Sequence, residues 1–281
     1  MSKKARPIID HSRLSINTAT TRAQWGLAEA IDGYARAGIG GISPWRDQIA
    51  EMGLAKAAKA IREAELTVTG VCRGGMFPWG SVKARLEMLD DNRRAIEEAA
   101  TLSAQCLVLV VGGLPAGSKD LAGAHAMVEE AISVLLPEAR AAGVQLAIEP
   151  LHPMYAADRA CVNTMRHALD ICERAGDGIG VAVDVYHVWW DTELKSQIMR
   201  AGKERLLAFH ICDWLVPTRD LLLDRGMMGD GVIDIPLLRG WVEDAGYDGF
   251  HEVEIFSELD WWKRDPDEVV KTCKERCLSA V

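Results

Sequence analysis

Short apolar runs recur along the whole chain, at 14–17, 39–43, 66–71, 106–111, 144–149, 179–184, 206–211 and 250–256. They are rich in Val, Ile, Leu and Phe and show little alternation, the pattern of strands covered on both faces. Between them the apolar period lengthens to that of a helix. In 23–37, Trp25, Leu27, Ala28, Ile31, Tyr34 and Ala35 share one face, and Gly38 supplies the stop. Segments 54–64, 86–103, 121–142, 164–175, 194–203 and 235–245 follow the same scheme. Eight strand–helix alternations without a linker or composition shift predict an α/β fold, a (β/α)8 TIM barrel. The expected organisation is a single domain over 1–281, with a barrel core at about 12–262 and a C-terminal helical extension at about 263–281. A doubly wound open sheet would bring a glycine-rich turn after its first strand, and Asn17-Thr18-Ala19-Thr20 is not one.

Composition narrows the classes. With 281 residues, 49% of them hydrophobic, the chain can bury a large core without disulfides or a structural metal. A net charge of −9 sets it against a nucleic-acid partner. Its seven cysteines are scattered and form no CxxC pair, so they are expected to be reduced core thiols, Cys273 and Cys277 included. The N-terminus MSKKARPIID lacks a signal peptide's apolar core, and no apolar run is long enough to cross a membrane. The expected compartment is the cytoplasm, with no membrane partner.

In such a barrel, chemistry sits at the C-terminal strand ends. Glu149 closes the run AIEP, with His152 three residues on; Asp184 closes VAVD, followed by His187. His210 stands near the end of LLAFHICD, and Glu252 and Glu254 share one face of HEVEIFS. Any one of these could be a helix cap or a satisfied core histidine. Converging on one rim without basic neighbours, they would repel one another unless a cation lay between them. Oxygen donors with one imidazole suit a fairly hard divalent ion, Mn²⁺ first, with Zn²⁺, Co²⁺ or Mg²⁺ as alternatives. No cysteine belongs to the set, which argues for an open site rather than a closed structural one.

The series AIEPLHP, VAVDVYH, FHICDW and EVEIF, with the loop RGMMGDGVID, resembles the xylose isomerase-like TIM barrels of the sugar-phosphate isomerase/epimerase superfamily. Inositol-catabolism dehydratase/isomerase and ketose 3-epimerase branches belong to it. The resemblance runs from residue 14 to about 262 and implies Glu149, Asp184, His210 and Glu254 as metal ligands. Glu254 is preferred to Glu252 because Val253-Glu254-Ile255-Phe256 matches the family's last ligand. The resemblance further implies His187 as a contact to a substrate oxygen, and Glu149 and Glu254 as proton-transfer groups on opposite faces of the substrate. After the fifth strand, Leu151-His152-Pro153-Met154-Tyr155 departs from the polar sugar contacts usual in the epimerases.

The loop 224–231 is glycine-rich, and Arg225 is its one cation expected to point into the mouth; Asp230 reads as a turn former. His152, Trp45 and Trp214 are further candidate substrate contacts, with Arg46 and Arg73 as lesser ones. The pairs Trp189–Trp190 and Trp261–Trp262 read as rim packing or subunit contact.

The leading expectation is a divalent-metal-dependent isomerase or epimerase acting through an enediolate on a ketose or polyol ketone. The alternative is a lyase using the same site for β-elimination, an inosose-type dehydratase or a 3-keto-C-glycoside deglycosidase subunit, with His152 as the added acid. The expected partners are a small sugar or sugar-like ketone and further copies of the chain, or a small second subunit in the lyase case. Apurinic endonuclease chemistry would need more metals and more than seven histidines.

Overall fold

Side-chain parity organises the strands. In the computed structural model, which describes residues 10–281, the barrel is built from β1 (Leu14–Asn17), β2 (Gly41–Ser43), β3 (Thr67–Val68), β4 (Val71–Gly75), β5 (Leu107–Val110), β6 (Leu146–Ile148), β7 (Ile179–Asp184) and β8 (Leu206–Ile211). A two-residue hairpin, β9 (Asp213–Trp214) with β10 (Arg225–Gly226), precedes the last barrel strand, β11 (His251–Val253). Leu14, Ile16, Ile42, Leu107, Leu109, Ile148, Val181, Val183, Phe209 and Val253 belong to the main core shared with the helices. The alternate positions form a second, inner cluster of small side chains, Cys72, Cys106, Val108, Ala147, Ala182 and Ala208. This alternation is the period of two that pleating imposes. The runs look continuous in sequence because both sets are apolar.

All barrel pairings are parallel, in the order β3-β2-β1-β11-β8-β7-β6-β5-β4. The two ends of this order are halves of one strand. β3 pairs with β2 and β4 with β5, and the Thr69 and Cys72 amides donate to Ile42 O and Pro44 O at 3.0 and 3.2 Å. The ring therefore closes across a strand that is interrupted at Thr69-Gly70. The third strand also extends further than the expected 66–71. Its register slips between Cys72 and Gly74, so Arg73 is the extra residue of a bulge. Gly75 follows with φ +108°, where an added Cβ would meet Val110 O at 2.0 Å, so only glycine fits.

The surrounding helices are α1 (Leu27–Arg36), α2 (Arg46–Met52), α3 (Leu54–Glu63), α4 (Val82–Thr101), α5 (Leu121–Ala141), α6 (Met165–Ala175), α7 (Val185–Val188), α8 (Leu194–Arg205), α9 (Ile235–Asp244) and α10 (Pro266–Ser279). Side-chain caps fix several starts: Ser81 accepts from Ala84 N, Thr164 from His167 N and Asp234 from Leu237 N. α2 lies in a stretch whose pattern predicts no helix. The seven cysteines are free and buried. Among the described residues, no helix is long and apolar enough to cross a membrane.

The inner cluster leaves little spare room. Ala182→Leu should destabilise the protein by about 1–3 kcal/mol through overpacking, read as a lower denaturation midpoint.

Candidate metal centre

Four of the inner positions at the strand ends carry the chemistry. Glu149 follows β6 two residues after Ala147, Asp184 ends β7 two after Ala182, and His210 lies on β8 two after Ala208. Glu252 on β11 and Glu254 just beyond it obey the same parity. Glu149, Asp184, His210 and Glu254 are buried, and one ligand atom from each lies within 4.8 Å of the others. His210 Nδ1 is 3.0 Å from Glu149 Oε1 and 4.0 Å from Glu254 Oε2, while its Nε2 faces Glu252 Oε1 at 3.6 Å. Asp184 caps α7 by accepting from Tyr186 N at 2.8 Å through Oδ1, which leaves Oδ2 toward the centre.

Beneath these residues a polar network fills the barrel. Asn17 Nδ2 donates to Glu252 Oε1 at 2.9 Å and to Glu254 Oε1 at 3.0 Å. Asn17 Oδ1 in turn accepts from Trp45 Nε1 at 2.7 Å. Thr69 Oγ1 donates to Glu252 Oε2 at 2.7 Å. Glu252 is thus occupied by the network one layer below the rim, and its near edge is turned to His210. A carboxylate behind a histidine is the arrangement that fixes ring orientation at metal sites.

Arg225 stands among the acids, so the strand-end carboxylates are not without a basic neighbour. Arg225 is buried, and its Nη1 donates to Asp184 Oδ2 at 2.9 Å and to Glu254 Oε2 at 3.0 Å. Its guanidinium lies between the rings of Tyr186 and Phe256, at 4.5 and 5.1 Å. The loop that carries it is built by Asp213, whose carboxylate accepts from the amides of Trp214, Gly229, Gly231 and Ile233. Tyr155 and Tyr186 hydroxyls donate to Leu221 O at 2.6 and 3.0 Å, and Arg219 pairs with Asp224. These contacts hold segment 219–225 down over the mouth.

Among the described residues, four carboxylates still face Arg225 and His210, so the site has more negative than positive charge. Burial opposes charging His210, but Glu252, Glu149 and Glu254 together raise its pKa well above the usual histidine range. Burial lifts Glu254 to about 8, with Glu149 adding to the rise and Arg225 opposing it. Asp184 stays below its ordinary value despite its burial, because Arg225, His187 and His210 surround it. Three carboxylates and an imidazole converging with surplus negative charge fit a divalent cation.

The sequence profile of xylose isomerase-like TIM barrels matches residues 31–273. The chain belongs to that family. Protein SMc04130 from Sinorhizobium meliloti 1021 has a solved structure that is 61% identical, covering 95% of this chain and 98% of its own at a TM-score of 0.93. The zinc-bound structure of IolI is 19% identical over 94% of this chain and 95% of its own, at a TM-score of 0.81. D-psicose 3-epimerase, solved in the presence of D-fructose, is 16% identical over 96% of this chain and all of its own, at 0.76. At those last two identities the likeness concerns the fold. No curated protein matches the sequence.

In this xylose isomerase-like barrel the strand-end residues open onto a cavity of about 150 Å³. Glu149, His187, Arg225 and Glu254 line it, with Trp45 and Phe256 on one wall and Tyr155 and Leu222 on another. His187 accepts from His152 N through Nδ1 at 3.3 Å and lies 3.1 Å from Arg225 Nη2 through Nε2. Burial lowers its pKa to about 3, Asp184 opposing, so the ring is neutral. The ring of His152 and Trp214 are not among the lining residues. They stack on each other at 5.1 Å, His152 also against Trp190 and Trp214 against Tyr186. Arg46 turns away to Asp91 and Glu98, and Asp230 pairs with Arg276. Trp190 donates to His187 O, Trp262 to Ala19 O, and Trp261 is buried, so these tryptophans pack the rim.

Asn17 and Arg159, which also lines the cavity, are residues of the site that sequence reasoning passed over, and Glu252 was set aside in favour of Glu254. Asn17 had a readable signal, a polar side chain at the inward end of the first strand. Glu252 shares its parity with Glu254, and Arg159 sits in a loop with no periodicity.

Two outcomes are expected. Replacing Glu252 with Leu breaks a buried charged pairing with His210 and should cost about 3–5 kcal/mol, read by denaturant unfolding. Burial favours the protonated form of Glu254, and a bound cation favours the ionised form. Mn²⁺ binding should therefore release protons, and its affinity should rise as pH increases toward 8; calorimetry in buffers of different ionisation enthalpy reads both.

Proposed function

We propose that this protein is a divalent-metal-dependent isomerase or epimerase of a ketose or related polyol ketone, with Mn²⁺ as the preferred ion. The observation that carries this is the pairing of two buried glutamates, Glu149 and Glu254, on one small cavity beside His187 and Arg225. The ion, held by Glu149, Asp184, His210 and Glu254, would supply Lewis-acid polarisation of a carbonyl and so acidify the adjacent C–H. The zinc-bound IolI and the D-psicose 3-epimerase, which share this fold, support the assignment.

In this reading one glutamate removes a proton from carbon and gives an enediolate. Return of the proton to the neighbouring carbon isomerises; delivery by the other glutamate to the opposite face epimerises. Neutral His187 acts as a hydrogen-bonding group rather than as an acid. Its Nδ1 faces His152 N and its Nε2 faces Arg225 Nη2, both of them donors, and a neutral ring accepts at only one nitrogen. One donor is left for another acceptor, and a substrate oxygen is such an acceptor. Arg225, fixed by two carboxylates and two aromatic rings, adds positive charge where the enediolate oxygens develop theirs. Trp45, half-buried on the wall, offers an apolar face to the sugar.

β-Elimination would use the same first step. It calls for a further acid, and the His152 ring lies between Trp190 and Trp214 instead of on the cavity lining. Isomerisation or epimerisation is therefore the reading adopted.

With Mn²⁺ present and D₂O as solvent, ketoses of a panel should acquire deuterium at carbon and interconvert without loss of water. Glu149→Gln and Glu254→Gln should each lower turnover by at least about a thousandfold. Near-normal exchange in either variant with metal bound would refute the proton-transfer assignment.

A further inference from the structure

Most arginines of the described residues hold a carboxylate or a backbone carbonyl. Around the mouth, Arg22 is paired with Asp47, Arg46 with Asp91 and Glu98, and Arg225 with Asp184 and Glu254. Arg73 and Arg159 are different. Both line the cavity that contains Glu149 and Glu254, and neither guanidinium has a hydrogen bond or ion pair among the described residues. The acids of that lining are the two glutamates already facing His210 and Arg225.

The placement of both is built into the fold. Arg73 is the bulged residue of β4, and a bulge next to a site re-aims the side chain it inserts. It is half-buried, and burial together with the neighbouring Arg159 and Arg46 guanidiniums holds its pKa below the usual arginine value. Arg159 lies over the ring of Tyr155 at 5.6 Å, which leaves its N–H edge free. Two like charges held near each other, both partly out of water and neither in an ion pair among the described residues, are unfavourable in the free protein. In a chain of net charge −9, acids to neutralise them were available elsewhere and are not used here.

We propose that the substrate of this cavity carries an oxyanion, a carboxylate or a phosphate, which Arg73 and Arg159 bind together. This rests on the cavity being the substrate site. Arg225 is committed to the ligand cluster and so handles the reacting end, while Arg73 and Arg159 hold the charged end. An arginine pair matches either group, since guanidinium N–H edges meet carboxylate and phosphate oxygens two at a time.

The test compares three ketohexoses that differ only at C6: fructose, fructuronate and fructose 6-phosphate. Each is titrated into the Mn²⁺-loaded protein in a phosphate-free buffer, for the natural sequence, Arg73→Gln and Arg159→Gln. One charged sugar should bind at least about tenfold more tightly than fructose, as expected for hydrogen bonds to a charged group. In both variants that ratio should fall toward unity while Mn²⁺ affinity holds. Whichever of carboxylate and phosphate gains the preference identifies the group. Equal binding of all three, binding of neither charged sugar, or a ratio unchanged in both variants would overturn the proposal. Charge preference without deuterium exchange would sink the isomerase reading and leave the anion site standing. Exchange on fructose with no charge preference would do the reverse.

Discussion

The constraint on which this structure turns is an imbalance of charge in a buried space. Glu149, Asp184, Glu252 and Glu254 meet at the barrel mouth with His210 and Arg225 as their close cationic partners among the described residues. Desolvating that many carboxylates is costly, and each feature around them lowers the cost. Asp184 takes a backbone amide, Glu252 takes Asn17 and Thr69, and Glu254 takes Asn17 and Arg225. What these contacts leave uncompensated is negative charge directed at one point. A cation there completes the arrangement, which is why the cluster is better read as a binding site than as a structural salt-bridge network.

That arrangement depends on what the strands omit. The inner positions one layer below the ligands are Ala147, Ala182 and Ala208, with Val108, Cys72 and Cys106 across from them. Larger side chains would close the mouth from below and displace the His210–Glu252 contact. The bulky residues of the same strands, Ile148, Val183 and Phe209 among them, are turned outward to the helices. Stability and chemistry are thus separated by the period of two along each strand. The core against the helices can be large and apolar because the site occupies only the other face.

The same period explains what could be read in the sequence. Glu149, Asp184, His210 and Glu254 stand at the ends of apolar runs, and the barrel expectation alone puts such ends on one rim. Glu252 could not be assigned, because its parity equals that of Glu254 and only depth separates them. The third strand looks shorter in sequence than it is, since the glycines at 74 and 75 that allow the bulge and the close approach to Val110 resemble the end of a strand. Arg225 could be expected in the mouth but not its partners. Its position is set by Asp213 gathering four amides and by two tyrosine hydroxyls on Leu221, contacts between residues far apart in the chain. Helix α2 begins at Arg46, whose commitment to Asp91 and Glu98 on α4 is likewise a tertiary fact.

The distribution of cations around the mouth gives the cavity a direction. Near the acidic cluster, Arg225 is paired with Asp184 and Glu254 and held between two rings, so its geometry is fixed. Along the wall formed by β4 and the loop after β6, Arg73 and Arg159 are unbalanced. A ligand with a carbonyl at one end and an oxyanion at the other would meet complementary fields at both ends in only one orientation. A neutral ketose would find the first end complementary and the second merely polar. Electrostatic selection of this kind acts on orientation as much as on affinity, because the reversed pose would set an anion against Glu149 and Glu254. The bulge at Arg73 is then more than an irregularity of the third strand, since it sets a positive charge beside that of Arg159 on the cavity lining.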